Sequence, residues 1–188
     1  MNAVDPAVRR RNRIALVLIA LVFLGSFGLA GVLRFTGWRP AGLKSHGELL
    51  QPPGDARRSE PPLAAGGVYR WQPELRLWRI AVVAPARCGA PCARLASDLE
   101  KARLLQSREA ARVHVLWMGE YPAQAPRSPA LRLLREDAAF RAALPRVDDA
   151  RGVPVYVIDP NGFVVLRYAP GADPAGLRAD LAKLLKLR

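Results

Sequence analysis

The chain has 188 residues, 51% of them hydrophobic, which supplies one core-bearing domain with appendages and excludes a chain too short or too polar to fold. Its 29 basic and 16 acidic residues give a formal charge of +13. Four of the arginines cluster ahead of one apolar block and the others are scattered, with no basic stripe or interleaved aromatic ladder, which argues against nucleic-acid binding and leaves a weak attraction to anionic lipid.

The first element is that apolar block, Ile14 to Leu33, uncharged and about 20 residues long, the length of helix that crosses a bilayer. Arg9, Arg10, Arg11 and Arg13 precede it directly, whereas Arg34, Arg39 and Lys44 follow at wider spacing. The denser cluster is expected to stay cytoplasmic, which leaves the rest of the chain in the periplasm of a bacterial-type inner membrane. Residues 1–13 then form a basic cytoplasmic tail and residues 14–33 an anchor. A cleaved signal peptide is the competing reading, with Gly28-Leu29-Ala30 as the cleavage site, although the run exceeds the usual length of about 7–15 residues. A buried helix of a soluble core is a third reading, and the run lacks the polar face that such a helix carries.

Residues 34–66 are rich in turn formers: Pro40, Pro52-Pro53, Pro61-Pro62 and Gly66. They read as a spacer, with Ser45-His46-Gly47-Glu48-Leu49-Leu50 as an island that is either a turn in a pinned linker or a segment that packs on the domain or meets a partner. From residue 67 to 188 the periods predict a domain. Leu77 to Ala84 is a short apolar, branched run of the kind that fills a central buried strand. Pro91 opens a segment in which Cys92, Leu95, Leu99, Ala102 and Leu105 recur at helical spacing. Ala111 to Trp117 predicts a second strand, and Ser128 to about Leu144, with Leu131, Leu134 and Ala138, predicts a second helix. Pro154 to Ile158 and Phe163 to Tyr168 predict a hairpin joined by Asp159-Pro160-Asn161-Gly162. Asp173 as N-cap and Pro174 at the first helical position open a final helix with Leu177, Leu181, Leu184 and Leu185 on one face.

The order strand, helix, strand, helix, strand, strand, helix, with right-handed crossovers, is that of an α/β thioredoxin-like fold. The hairpin is expected to close one edge of the sheet.

The chemistry concentrates at Cys88-Gly89-Ala90-Pro91-Cys92, between a buried strand and the start of a helix. Unpaired N–H groups and the positive end of the helix dipole stabilise a thiolate there, and Arg87 and Arg94 act in the same direction. Thiolate serves disulfide exchange and soft-metal binding alike. Cys88 is expected to be the exposed attacking thiol and Cys92 the buried resolving one. A purely structural disulfide is the alternative, natural for an exported chain, yet a bridge across three intervening residues removes little chain entropy. His46 lies in the spacer, and His114 reads as a satisfied strand histidine. Met118, at the carboxyl end of its strand, is a candidate thioether ligand for Cu(I) or a gap-filling core residue. Asp148-Asp149 reads as a solvated loop and Glu100 as a solvent-facing side chain.

The anchor, the Cys-x3-Cys between strand and helix, and Tyr156-Val157-Ile158-Asp159-Pro160-Asn161-Gly162 together resemble the Sco/SenC proteins. The resemblance implies a thioredoxin-fold factor of cytochrome c oxidase assembly, whose partners are oxidase assembly factors or a copper-site subunit. It also implies that Cys88 and Cys92 could hold or transfer Cu(I). The histidine that completes copper sites in that family has no counterpart in residues 148–154. Arg151-Gly152-Val153-Pro154 is instead similar to the thioredoxin segment that carries a cis-proline facing the disulfide, which implies a catalytic role for Pro154. The function expected from these residues is a membrane-anchored thiol-disulfide oxidoreductase accessory to oxidase copper-site assembly. A Cu(I) metallochaperone and a non-catalytic scaffold are the alternatives.

Overall fold

A computed structural model describes residues 6–36 and 45–187. Residues 1–5 of the expected tail, residues 37–44 of the expected spacer (with Arg39, Pro40 and Lys44) and Arg188 lie outside the described residues. The chain divides into two compact units, Met1–Lys44 and Ser45–Arg188.

The first unit holds helix α1 (Pro6–Phe35), about 45 Å long at 1.5 Å per residue against a hydrocarbon core of about 30 Å. It is long and apolar enough to cross a membrane. Its one serine sends its hydroxyl back to the Phe23 carbonyl at 2.8 Å, which satisfies the polar group without a solvent partner.

The second unit runs β1 (Glu48–Asp55), β2 (Trp78–Val83), α2 (Gly89–Leu104), β3 (Val113–Met118), β4 (Leu131–Leu134), α3 (Ala138–Ala142), β5 (Val155–Ile158), β6 (Phe163–Tyr168) and α4 (Pro174–Leu184). The six strands form one sheet in the order β1-β6-β5-β2-β3-β4. β2, β3 and β4 are parallel, while β5, β6 and β1 alternate antiparallel. Every residue of β2 is buried, as a strand covered on both faces requires. Ile80 and Val82 face α2 and α4, packing with Cys92, Leu99, Leu177 and Leu181. Ala81 and Val83 face the other layer, with Met118, Phe140, Leu144 and Tyr156.

Two expectations are corrected. The stretch read as spacer carries β1, paired to β6 through Glu48–Arg167, Leu49–Leu166, Gly54–Val164 and Asp55–Phe163. Pro52 and Pro53 sit in the irregular segment of that pairing, and an edge strand tolerates them because one side of its ladder has no partner to serve. The hairpin therefore does not close the sheet; β1 lies outside it. The expected helix over 128–144 is a strand followed by one short helix. Leu131 and Leu134 share helical spacing by coincidence, since β4 pairs with β3 from Val115–Leu131 to Met118–Leu134. The helix begins only after Asp137, whose carboxylate accepts from the Phe140 N–H at 2.6 Å.

The Ser45–Gly47 island packs on the domain. Asp180 of α4, 2% exposed, accepts from the His46 N–H at 2.6 Å, the Gly47 N–H at 3.0 Å and the Tyr168 hydroxyl at 2.9 Å. Burial pushes the Asp180 pKa up, and the hydrogen bonds from Gly47, His46 and Tyr168 outweigh it and hold the carboxylate below its ordinary range.

On the other face of the sheet, Arg79 is fully buried without a carboxylate partner among the described residues. It donates to the carbonyls of Leu77, Asp159 and Pro160 and to the Tyr69 hydroxyl, and its guanidinium lies 5.0 Å from the Trp71 ring centre. The Tyr69 hydroxyl continues to His114 Nδ1 at 3.1 Å, which makes His114 the satisfied strand histidine expected. Burial, with the charges of Arg132, Arg79 and Arg103, lowers the His114 pKa to about 4.

Asp180→Ala strands the buried Gly47 N–H and Tyr168 hydroxyl and frees the His46 N–H, and is expected to lower stability by about 3 kcal/mol, measured by urea denaturation of the full chain in detergent; a loss below about 0.5 kcal/mol would show that the clamp contributes little. His114 stays neutral in the fold, while the unfolded chain takes up its proton near pH 6.5. Stability from this group is therefore complete above about pH 6.5 and falls as the pH drops toward 4. Denaturation midpoints at pH 7.5, 6 and 4.5 should fall less steeply in His114→Asn than in the wild type.

Candidate functional site

β2 runs through the interior and ends at Val83, after which Ala84 continues the pairing by donating to the Met118 carbonyl at 2.8 Å. The chain then surfaces over Pro85–Arg87 and turns at Cys88, the N-cap residue of α2. The Cys88 side chain makes no capping hydrogen bond, and the first turn of α2 contains no acidic residue. The positive end of the helix is thus left for the cysteines. Gly89 adopts φ +50, a left-handed conformation that lets the chain turn from strand exit to helix start.

Cys88 and Cys92 form a disulfide with their Cα atoms 5.4 Å apart. Cys88 is half-buried and Cys92 is 1% exposed, in the core between α2 and the sheet. Cys88 is therefore the more accessible cysteine of the pair.

The disulfide borders a groove of about 670 Å³. One wall is α2, with Pro91, Arg94, Leu95 and Asp98; another is the turn at Arg151-Gly152-Val153; the third runs from Tyr168 through Pro170 to Pro174. Tyr168 contributes its ring to the groove and its hydroxyl to Asp180. Burial and the neighbouring Asp180 push the Tyr168 pKa far up, so it stays a neutral donor. The third wall was not singled out from the sequence. Its only signal there is the small-residue loop Ala169-Pro170-Gly171-Ala172 between a strand and a capped helix.

Pro154 is corrected. Among the described residues the cis peptide bond is Gln51–Pro52, and Val153–Pro154 is trans. Pro154 is buried, and the groove is lined by its neighbours Gly152, Val153 and Val155. The chain reversal here comes from the Asp149–Gly152 turn, closed by the Gly152 N–H on the Asp149 carbonyl at 3.0 Å with Gly152 at φ +138. Val153, half-buried, lines the groove together with Cys88 and Cys92.

Met118 is also corrected as a metal ligand. It is fully buried with Phe140 and Leu144, on the face of the sheet opposite Cys92, because successive strand side chains alternate and Trp117 takes the Cys92 side. His46 and His114 are engaged by Asp180 and Tyr69. Two cysteines joined to one another, with neither histidine nor methionine in the groove, do not make a complete soft-metal site. No group of three or more His, Cys, Asp or Glu side chains suited to a metal occurs among the described residues.

Two carboxylates depart from the sequence expectation. Glu100 is not solvent-facing but pairs with Arg103 at 2.6 Å, with the two side chains 13% and 9% exposed. Asp149 binds the buried Arg167 at 2.7 Å and Arg151 at 2.9 Å, while Asp148 alone is solvated.

The model of a family described as transmembrane-like, thioredoxin-like, C-terminal domain matches residues 78–188. The chain belongs to this family. No curated protein matches it by sequence. Among solved structures, this thioredoxin-like chain is similar to BsSco, a member of the Sco family of cytochrome c oxidase assembly proteins in which a disulfide switch was identified. That match has a TM-score of 0.54 and 13% identity over 76% of this chain and 98% of that one. Apo Sco1 from Thermus thermophilus matches with a TM-score of 0.53 and 19% identity over 79% of this chain and 99% of that one. A protein named for DsbE-type thiol:disulfide interchange, from Chlorobium tepidum, matches with a TM-score of 0.51 and 19% identity over 71% of this chain and 97% of that one. At these identities the likeness is one of fold.

After reduction, Cys88 should react with iodoacetamide much faster than Cys92. The check is mass spectrometry of Cys88→Ser and Cys92→Ser at matched times, and equal rates would contradict the difference in burial.

Proposed function

We propose that this chain is a membrane-anchored thiol-disulfide oxidoreductase of the cell envelope, working on partners in cytochrome c oxidase copper-site assembly. The observation that carries the reading is the unequal access of the two sulfurs at an uncapped helix start beside an open groove.

In the reduced protein, the Cys88 thiolate attacks one sulfur of a partner disulfide. The partner's S–S bond breaks, its other sulfur leaves as a thiolate, and a mixed disulfide forms. Cys92 then loses its proton and attacks Cys88, which releases the second partner sulfur and regenerates the Cys88–Cys92 bond. Two electrons pass to the partner, and a dithiol reductant restores the pair. The helix dipole favours the thiolate of Cys88, and burial keeps Cys92 from competing for the first attack. Pro85, Leu95 and Val153 keep the approach to the sulfurs partly apolar.

The envelope location is supported by the charge pattern around α1: Arg9, Arg10, Arg11 and Arg13 before the apolar run are denser than the basic residues after it, the pattern of a helix whose leading end stays in the cytoplasm of a bacterial-type inner membrane. The oxidase partner is supported by the BsSco and Sco1 likeness. A transferred Cu(I) would need a third donor from the partner, because the groove offers two sulfurs and no more.

A redox titration in glutathione buffers should find the pair exchanging between about −270 and −120 mV. A pair still oxidised at about −300 mV would make it a structural bridge. Cys92→Ser should accumulate a mixed disulfide through Cys88, seen as a mass adduct removed by dithiothreitol.

A further inference from the structure

Three guanidinium groups border the groove at the disulfide: Arg87, Arg94 and Arg151. Arg151 is committed to Asp149 by bonds of 3.0 and 2.9 Å. Arg87 and Arg94 are exposed and make no hydrogen bond or ion pair among the described residues. Two carboxylates also line the groove. Asp173 is turned to the start of α4, where it accepts from the Ala175 N–H at 2.8 Å. Asp98 is half-buried, six residues beyond Cys92 on α2 and so about 9 Å farther along the axis. The positive end of α2 adds to the field of the two free arginines.

From these charges, and resting on the thiol-disulfide reading above, we propose that the groove takes an extended, acidic segment of a partner protein. Asp or Glu side chains on either side of the partner's reacting cysteine lie against Arg87 and Arg94. The oxidised pair makes the exchange visible. A partner thiolate attacks Cys88, the Cys88–Cys92 bond breaks, and Cys92 leaves as a thiolate that takes a proton from water. The partner's second thiolate then attacks its own first sulfur and releases Cys88. The partner dithiol is oxidised by two electrons and the Cys88–Cys92 pair reduced by two.

The test uses the oxidised full chain in non-ionic detergent and three dithiol peptides. Each carries two cysteines, flanked by Asp/Glu, by Ser/Gly or by Lys. The second-order rate of Cys88–Cys92 reduction is expected to run acidic, then neutral, then basic, with about a tenfold gap between the first two at low salt. The gap should close by about 0.5 M NaCl, where exposed charges are screened. Arg87→Glu/Arg94→Glu should invert the order, while Arg70→Glu/Arg108→Glu, the same change of net charge away from the groove, should leave it intact. Equal wild-type rates for the three peptides would overturn the acidic-partner inference and leave the redox reading standing. An equal effect of the remote double variant would reduce the preference to net charge and overturn it as well. Reduction by none of the peptides would remove the redox reading, and this inference with it.

Discussion

The site depends on burial of β2 from both faces of the sheet. Six consecutive residues, Trp78 to Val83, are enclosed between two apolar layers, and the next strands on either side are parallel β3 and antiparallel β5. A strand so enclosed has no freedom of register, because a shift of one residue would exchange every side chain between the two layers. Its carboxyl end is therefore placed accurately, and Cys88 follows five residues later. The helix that Cys88 starts is fixed in turn by Cys92, Ala96, Leu99 and Ala102, which pack on the same face as Ile80 and Val82. The disulfide thus has one cysteine in the main core and the other half-buried against it. The unequal access of the two sulfurs follows from the amphipathic character of α2.

Much of this was legible in the sequence because the relevant signals are local. The run Leu77 to Ala84, the hairpin turn at Asp159–Gly162 and the Asp173-Pro174 helix start each depend on neighbouring residues, and each element stands where its signal put it. The hidden parts depend on partners distant in the chain. β1 is recognisable as a strand only through β6, more than a hundred residues later, and its prolines mimic a spacer. β4 has the leucine spacing of a helix, and only its parallel neighbour β3 decides otherwise. At the site, the cysteines were visible from their position before a helix. The Tyr168–Pro174 wall and the trans geometry at Pro154 are products of tertiary packing, and of the two readings of Met118 the core one holds, which the end of a strand alone could not decide because it does not reveal which face a side chain takes.

Among the described residues, the buried arginines Arg103 and Arg167 hold carboxylates, whereas Arg79 does without one. Arg79 lies in the interior on carbonyl oxygens, a tyrosine hydroxyl and an aromatic face. Such an arrangement suits a guanidinium, whose charge is delocalised and whose donors fan out in a plane. By bonding both Leu77 and the Asp159–Pro160 turn, Arg79 ties the entry of β2 to the β5–β6 hairpin at the end of the sheet remote from the cysteines. Arg167 and Asp149 perform a related service on the next strands, joining β6 to the turn that forms one wall of the groove. Arg79 and Arg167 are thus consumed in holding the sheet, whereas Arg87 and Arg94 are exposed at the groove.

Both margins of the sheet are closed to further strands. On one side Pro52 and Pro53 withdraw two amide donors from β1 and interrupt its pairing between Leu49 and Gly54. On the other, residues 62–64 lie along β4, with the Ala64 N–H on the Leu133 carbonyl and the Arg135 N–H on the Pro62 carbonyl. An open strand margin pairs with the margin of another copy and seeds sideways polymerisation. With both margins blocked, copies of the domain can crowd together and remain separate molecules.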